Sequence, residues 1–153
     1  MDIYILDTTT SDDRRELTAF DTREKAIDHA AGMLGAEEAA VMREDLAADG
    51  GFFFNGRRSF EIHVAHVDGR LGSIAVLDWL SCTEDCIKVF RSFDEAFAFV
   101  KNEINERFEG LTREFINNEA AIARERLEAG KVYMLDSGDF DPARIQATEI
   151  EVR

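Results

Sequence analysis

The sequence predicts an α+β fold made by tandem duplication of one strand–strand–helix–helix–strand–strand unit. It would have an antiparallel sheet, helices on one face of that sheet and an internal pseudo-twofold. Three observations predict it. Short apolar segments recur in the same order: Ile3-Tyr4-Ile5-Leu6-Asp7 returns 71 residues later as Ile74-Ala75-Val76-Leu77-Asp78, and Leu17-Thr18-Ala19-Phe20 returns at an offset of 70 as Ile87-Lys88-Val89-Phe90. Each pair leads into a hydroxyl residue, Thr22 or Ser92, and then into 3.6-residue apolar periodicity. Each helical stretch ends at glycine before a short apolar run.

In the first copy, Ile3–Asp7 reads as a strand, Thr8–Arg15 as a polar loop and Leu17–Phe20 as the second strand. Thr22 can cap a helix over Arg23–Leu34, because its hydroxyl accepts from the orphan N–H groups of the first turn. Ala26, Ile27, Ala30, Met33 and Leu34 would share one face of that helix. Gly32 weakens its last turn and Gly35 breaks it. Ala36–Ala48 is a second helix, stopped by Asp49-Gly50-Gly51. Phe52-Phe53-Phe54 is a strand, Asn55-Gly56 has the composition of a type I′ hairpin turn, and Ser59–Val67 returns.

The second copy repeats this plan with longer helices. Ser92 would cap Phe93–Phe108, with Ala96, Phe97, Val100, Ile104 and Phe108 on one face. Leu111–Ala129 carries Phe115, Ile122 and Leu127 as its apolar positions and stops at Gly130. Arg43-Glu44-x-Leu46-x-Ala48 matches Arg124-Glu125-x-Leu127-x-Ala129 at an offset of 81, which aligns Phe52-Phe53-Phe54 with Tyr133-Met134-Leu135. Val132–Leu135, a loop over 136–143 and Arg144–Val152 complete the copy. The expected domains are 1–70 and 71–153, joined through residues 67–72. Each is marginal in core size, so docking through a shared interface is expected, and the chain's 12 Phe suggest one continuous apolar layer between the helices and an antiparallel sheet.

Composition narrows the function. The chain has 153 residues, 45% hydrophobic, with 32 Asp and Glu against 18 Lys and Arg, a net charge of −14. Such a charge opposes direct binding to nucleic acid or anionic membrane. The longest uncharged stretches, such as His29–Ala36 and Leu71–Leu77, fall far short of a membrane span, and the first residues lack a basic leader. A cytoplasmic location is the expectation, and two cysteines make no secreted disulfide framework.

Chemical motifs are sparse. Cys82-Thr83-Glu84-Asp85-Cys86 spaces two thiols for a zinc half-site or a hairpin disulfide, yet no second ligand pair is evident. The simpler reading is a hairpin in which Thr83-Glu84-Asp85 turns and the cysteines flank it. His63 and His66, three apart on a strand, point to opposite faces, and His29 belongs to a helix boundary. Asp136, Asp139 and Asp141 have the composition of a calcium loop without its Gly and Glu positions. No phosphate-cradling glycine motif and no nucleophile–base arrangement occurs, so no enzyme activity, catalytic residue, cofactor or metal is expected.

The charge itself carries the most functional content. Residues up to Arg70 include 15 acids and 8 bases, and the remainder 17 and 10, so each copy has a net −7. On the second copy's helices Glu95, Glu103, Glu106, Glu109, Glu114, Glu125 and Glu128 fall off the apolar stripe. They serve solubility or attract a basic protein surface. Arg57-Arg58 at a hairpin tip is either a solvated turn or an anchor into an acidic or planar site.

The opening Ile3-Tyr4-Ile5, the polar loop after it and the segment Phe20-Asp21-Thr22-Arg23-Glu24-Lys25-Ala26, repeated over Phe90–Ala96, lead to a closing strand that alternates charged and apolar residues. This pattern resembles small uncharacterised phage- and plasmid-borne β-α-β proteins. The resemblance covers about half the chain and implies a mobile-element protein without implying a mechanism. The leading expectation is a non-enzymatic acidic protein that blocks a basic, nucleic-acid-binding surface of a protein partner. Anti-CRISPR and anti-restriction inhibitors and toxin-immunity proteins are similar in size and charge. The alternatives are a self-associating structural or regulatory module, a homodimer among its forms, and a small enzyme.

Overall fold

The computed structural model describes residues 1–138 and 141–153, so Asp139 of the aspartate-rich loop lies outside the described residues. The chain divides into two compact units, Met1–Gly72 with Ile150–Arg153, and Ser73–Glu149.

The first unit runs β1 (Asp2–Thr10), β2 (Arg15–Phe20), α1 (Arg23–Ala31), α2 (Ala36–Ala47), β3 (Phe52–Phe54) and β4 (Arg58–His66), with strand order β2-β1-β4-β3. The second runs β5 (Ser73–Leu80), β6 (Asp85–Phe90), α3 (Phe93–Arg107), α4 (Arg113–Glu128), β7 (Tyr133–Leu135) and β8 (Ala143–Glu151), with order β6-β5-β8-β7. The same topology occurs twice, as a duplicated α+β unit requires. The longer helical part of the second copy is also present: α3 and α4 have 15 and 16 residues against 9 and 12 in α1 and α2.

Each unit has its own apolar cluster between its helices and its sheet, two such layers where one was expected. In the first, Leu6, Phe20, Phe53, Phe60 and Ile62 of the sheet meet Ala26, Ala30, Met42 and Leu46 of the helices. In the second, Ala75, Leu77, Trp79, Ile145 and Ala147 meet Ala96, Val100, Ile104, Ile116, Ala123 and Leu127. The sheet residues of each cluster alternate along their strands and so share the helix-bearing face.

The caps form as their chemistry demands. The Thr22 hydroxyl accepts from Lys25 N and that of Ser92 from Glu95 N, both at 3.3 Å. The Glu95 carboxylate in turn accepts from Arg91 N at 3.1 Å, a capping-box-like exchange. Gly51 is required by space: a Cβ there would lie 1.9 Å from the Asp45 carbonyl oxygen.

Several expected details change. The polar stretch Thr8–Thr10 continues β1, because its partners Glu16 and Arg15 on β2 extend the ladder. The β3–β4 loop is the three residues Asn55-Gly56-Arg57, not a type I′ turn. Gly56 has φ +86°, whereas Asn55 keeps negative φ and acts through Oδ1, which accepts from Arg57 N and Arg58 N at 3.0 and 2.9 Å.

The alignment of Phe52-Phe53-Phe54 with Tyr133-Met134-Leu135 is off by one residue. Phe53 alone is buried in β3, while Tyr133 and Leu135 are buried in β7. Phe53 pairs with the buried Phe60, as Tyr133 does with Ile145 and Leu135 with Ala143, so the equivalent of Phe53 is a neighbour of Met134 and not Met134 itself. A strand's period of two makes a one-residue slip exchange its faces.

The Cys82 and Cys86 hairpin differs as well. Ser81 N donates to Glu84 O at 2.7 Å, which makes Cys82 part of the turn, and Cys86 pairs with Trp79. Finally, the last residues join the first unit. Val152 bridges Ala19 in parallel, Arg153 N donates to Ala19 O at 3.0 Å, and Asp21 N donates to Arg153 O at 3.0 Å.

Candidate partner-binding face

Helix α4 starts at Thr112, whose hydroxyl accepts from Phe115 N at 3.2 Å. Its buried residues are Ile116, Ala120, Ala123 and Leu127. Their spacing of four, three and four residues is one helical stripe. Two alanines in that stripe leave the burial to Ile116 and Leu127. Phe115 and Ile122, two of the apolar positions read from the sequence, belong to other faces and are 43% and 50% exposed. Phe115 keeps a partner in Phe108, with ring centroids 5.4 Å apart. Leu111, just before the helix and 50% exposed, falls in line with Phe115 and Ile122 at i+4 and i+11. The first unit repeats the feature weakly, with Val41 exposed beside the buried Met42 on α2.

The seven predicted glutamates divide into two sets. Three serve their own unit: Glu95 caps α3, Glu103 lies 3.9 Å from Arg107, and Glu128 lies 2.7 Å from Arg124. Arg124 also reaches Asp94 at 2.9 Å and covers the rings of Phe93 and Phe97. Glu106, Glu109, Glu114 and Glu125 are exposed, with no ion pair among the described residues. Glu114 and Glu125, eleven positions apart, share the outer face of α4 and flank Ile122.

At the α3–α4 joint a cleft of 500 Å³ is lined by Asn105, Glu109, Leu111 and Arg113. Asn105 Oδ1 is shut off from solvent, without a hydrogen-bond partner among the described residues. The face therefore combines exposed apolar side chains with carboxylates that have no ion pair among the described residues. Sequence reasoning named the acids but missed Asn105, Leu111, Phe115 and Ile122. The available signal was that Phe115 and Ile116, adjacent in sequence, cannot both face inward.

Arg57 and Arg58 belong to the first unit. Arg57 is exposed; Arg58 is half-buried and donates from Nη1 to Met33 O at 3.4 Å.

Asp7 on β1 is a buried carboxylate. Arg15 donates to both its oxygens, from Nε at 3.1 and 3.0 Å and from Nη2 at 2.6 Å, and His63 Nε2 lies 3.5 Å from Oδ2. Burial pushes the Asp7 carboxyl up, but hydrogen bonds and charge from His63 and Arg15 outweigh it, and the net shift is down. His66 meets Asp2 at 2.9 Å. The Cys86 thiol is pushed up by burial and by Glu84, its hydrogen-bond partner at 3.2 Å, so it is a poor nucleophile. Asp141 accepts from Cys82 N and from Thr83 N and Oγ1, which holds its carboxyl far below the usual range and assigns it to the β5–β6 turn. Among the described residues no group of three or more His, Cys, Asp or Glu is placed to hold a metal, and no helix is long and apolar enough to cross a membrane.

Comparison with protein-family models, with curated proteins and with solved structures found no match.

Proposed function

We propose that this chain is a non-enzymatic binding protein. Its α3–α4 face docks on a basic surface of a protein partner and blocks the nucleic acid that surface would hold, as an inhibitor borne by a mobile element would. The observation that carries the reading is the α4 outer face, where Phe115 and Ile122 stand exposed between the unpaired Glu114 and Glu125. Apolar anchors give affinity at an interface core, and carboxylates around them select a basic partner and speed encounter. Glu109, which lines the joint cleft, offers an arginine or lysine of that partner a counter-charge.

The test uses the full chain as bait in a bacterial lysate at low salt, followed by competition between the bait and nucleic acid for each captured protein. The expected result is a nucleic-acid-binding protein that the chain displaces from its substrate. Its capture should weaken about tenfold or more for Phe115→Arg with Glu125→Arg, and also fall as salt rises. Capture that ignores both the substitutions and the salt would overturn the proposal.

A second reading rests on β3, an edge strand with Phe52 and Phe54 at 56% and 62% exposure. Self-association through that edge would give a mass that rises with concentration and returns to the monomer value in Phe52→Lys with Phe54→Lys.

A further inference from the structure

The first unit holds a cleft of 720 Å³ between the β1–β2 turn, the α1–α2 junction and the β3–β4 loop. Its walls are tied together. Ser11 N donates to Arg57 O at 2.8 Å, Asn55 Nδ2 donates to Glu38 Oε2 at 3.2 Å, and Asn55 Oδ1 fixes the amides of Arg57 and Arg58. Arg57 and Arg58 both line the cleft, Arg58 Nη1 donating to Met33 O at 3.4 Å, and neither arginine has a carboxylate partner among the described residues. Their neighbours Arg14 and Arg15, which line the adjoining 500 Å³ cleft, are neutralised by Asp12 at 3.1 Å and Asp7 at 2.6 Å.

We propose that this cleft binds a small phosphate monoester. Arg57 and Arg58 grip the phosphate, and Met33 and Leu34 receive its organic body. Guanidinium forks match phosphate oxygens bidentately. The volume suits a compact metabolite, and a cleft already tied in place loses little freedom on binding. Glu38 is the one carboxylate lining the wall, and it opposes the anion. The residues of the site all belong to the first unit, and those of the α4 face to the second.

Amide NMR titration of the full chain tests this at constant ionic strength, with inorganic phosphate, phenyl phosphate and benzoate as probes. Saturable shifts should appear at Ser11, Gly35 and residues 55–58, and phenyl phosphate should bind about tenfold tighter than phosphate because the apolar wall adds contact. Arg57→Gln with Arg58→Gln should abolish the shifts while the remaining spectrum stays dispersed. Glu38→Gln should tighten binding about threefold by removing a like charge, and Arg70→Gln should change nothing. Absence of saturation, saturation that survives the double substitution, or benzoate binding as tightly as phenyl phosphate would each overturn the assignment.

Discussion

Asp7 shows how one buried carboxylate can organise a strand face. It sits diagonally between Arg15 on β2 and His63 on β4, on the face of β1 that also carries Ile3 and Ile5. Its lowered pKa fixes the sign of a pH effect. The stabilisation is complete above the unfolded carboxyl value of about 4 and is lost as pH falls through the lower folded value. Asp7→Asn should therefore cost about 2 kcal/mol in urea unfolding at pH 7, and the gap to the parent should close in strong acid. A gap independent of pH would show that packing, not charge, is at work. At the thiols, Cys86 should react with a disulfide reagent more slowly than the exposed Cys82, read on Cys82→Ser and Cys86→Ser chains at pH 8, because burial and Glu84 both disfavour its thiolate. Gly51→Ala should destabilise by about 2 kcal/mol or more in thermal unfolding, since its Cβ has no room beside the Asp45 carbonyl.

Among the elements, α4 is the most informative. Ile116 and Ile122 have the same side chain on one helix, yet one is 7% and the other 50% exposed. Ile116→Ala should cost about 3 kcal/mol by opening a cavity, whereas Ile122→Ser should change stability by less than about 0.5 kcal/mol in the same denaturation assay. Equal costs would mean that the outer face is covered in solution. The caps of α1 and α3 were legible from Thr22 and Ser92 because capping is a local hydrogen bond between residues three apart. The Thr112 cap obeys the same rule and was overlooked because the apolar pattern was read from Leu111. The inward face of α4 was not legible. Its inward residues include alanines, which carry little hydrophobic signal, while two larger apolar residues point outward.

At the scale of the molecule, one topology written twice accounts for most of the architecture. The tail breaks the simple division, because Val152 and Arg153 extend the ladder beside β2 of the first unit. Deleting residues 150–153 should therefore expose the Asp21 amide to hydrogen exchange and lower the stability of the first unit, while Ile104 in the core of α3 keeps its protection. Unchanged Asp21 protection would show that the tail pairing contributes nothing there.

By itself, the chain's order of residues determined the α+β class, the duplication, the helix starts and the acidic character. These follow from spacing and composition, which act between near neighbours. Only the tertiary structure decided which face of α4 turns inward, the one-residue shift by which the buried Phe53 of β3 has its counterpart beside Met134 in β7 and not at Met134, and the gathering of Arg57 and Arg58 into a cleft with the α1–α2 junction. Those depend on which partner occupies the space opposite a side chain, and partners distant in sequence leave no mark in a local pattern.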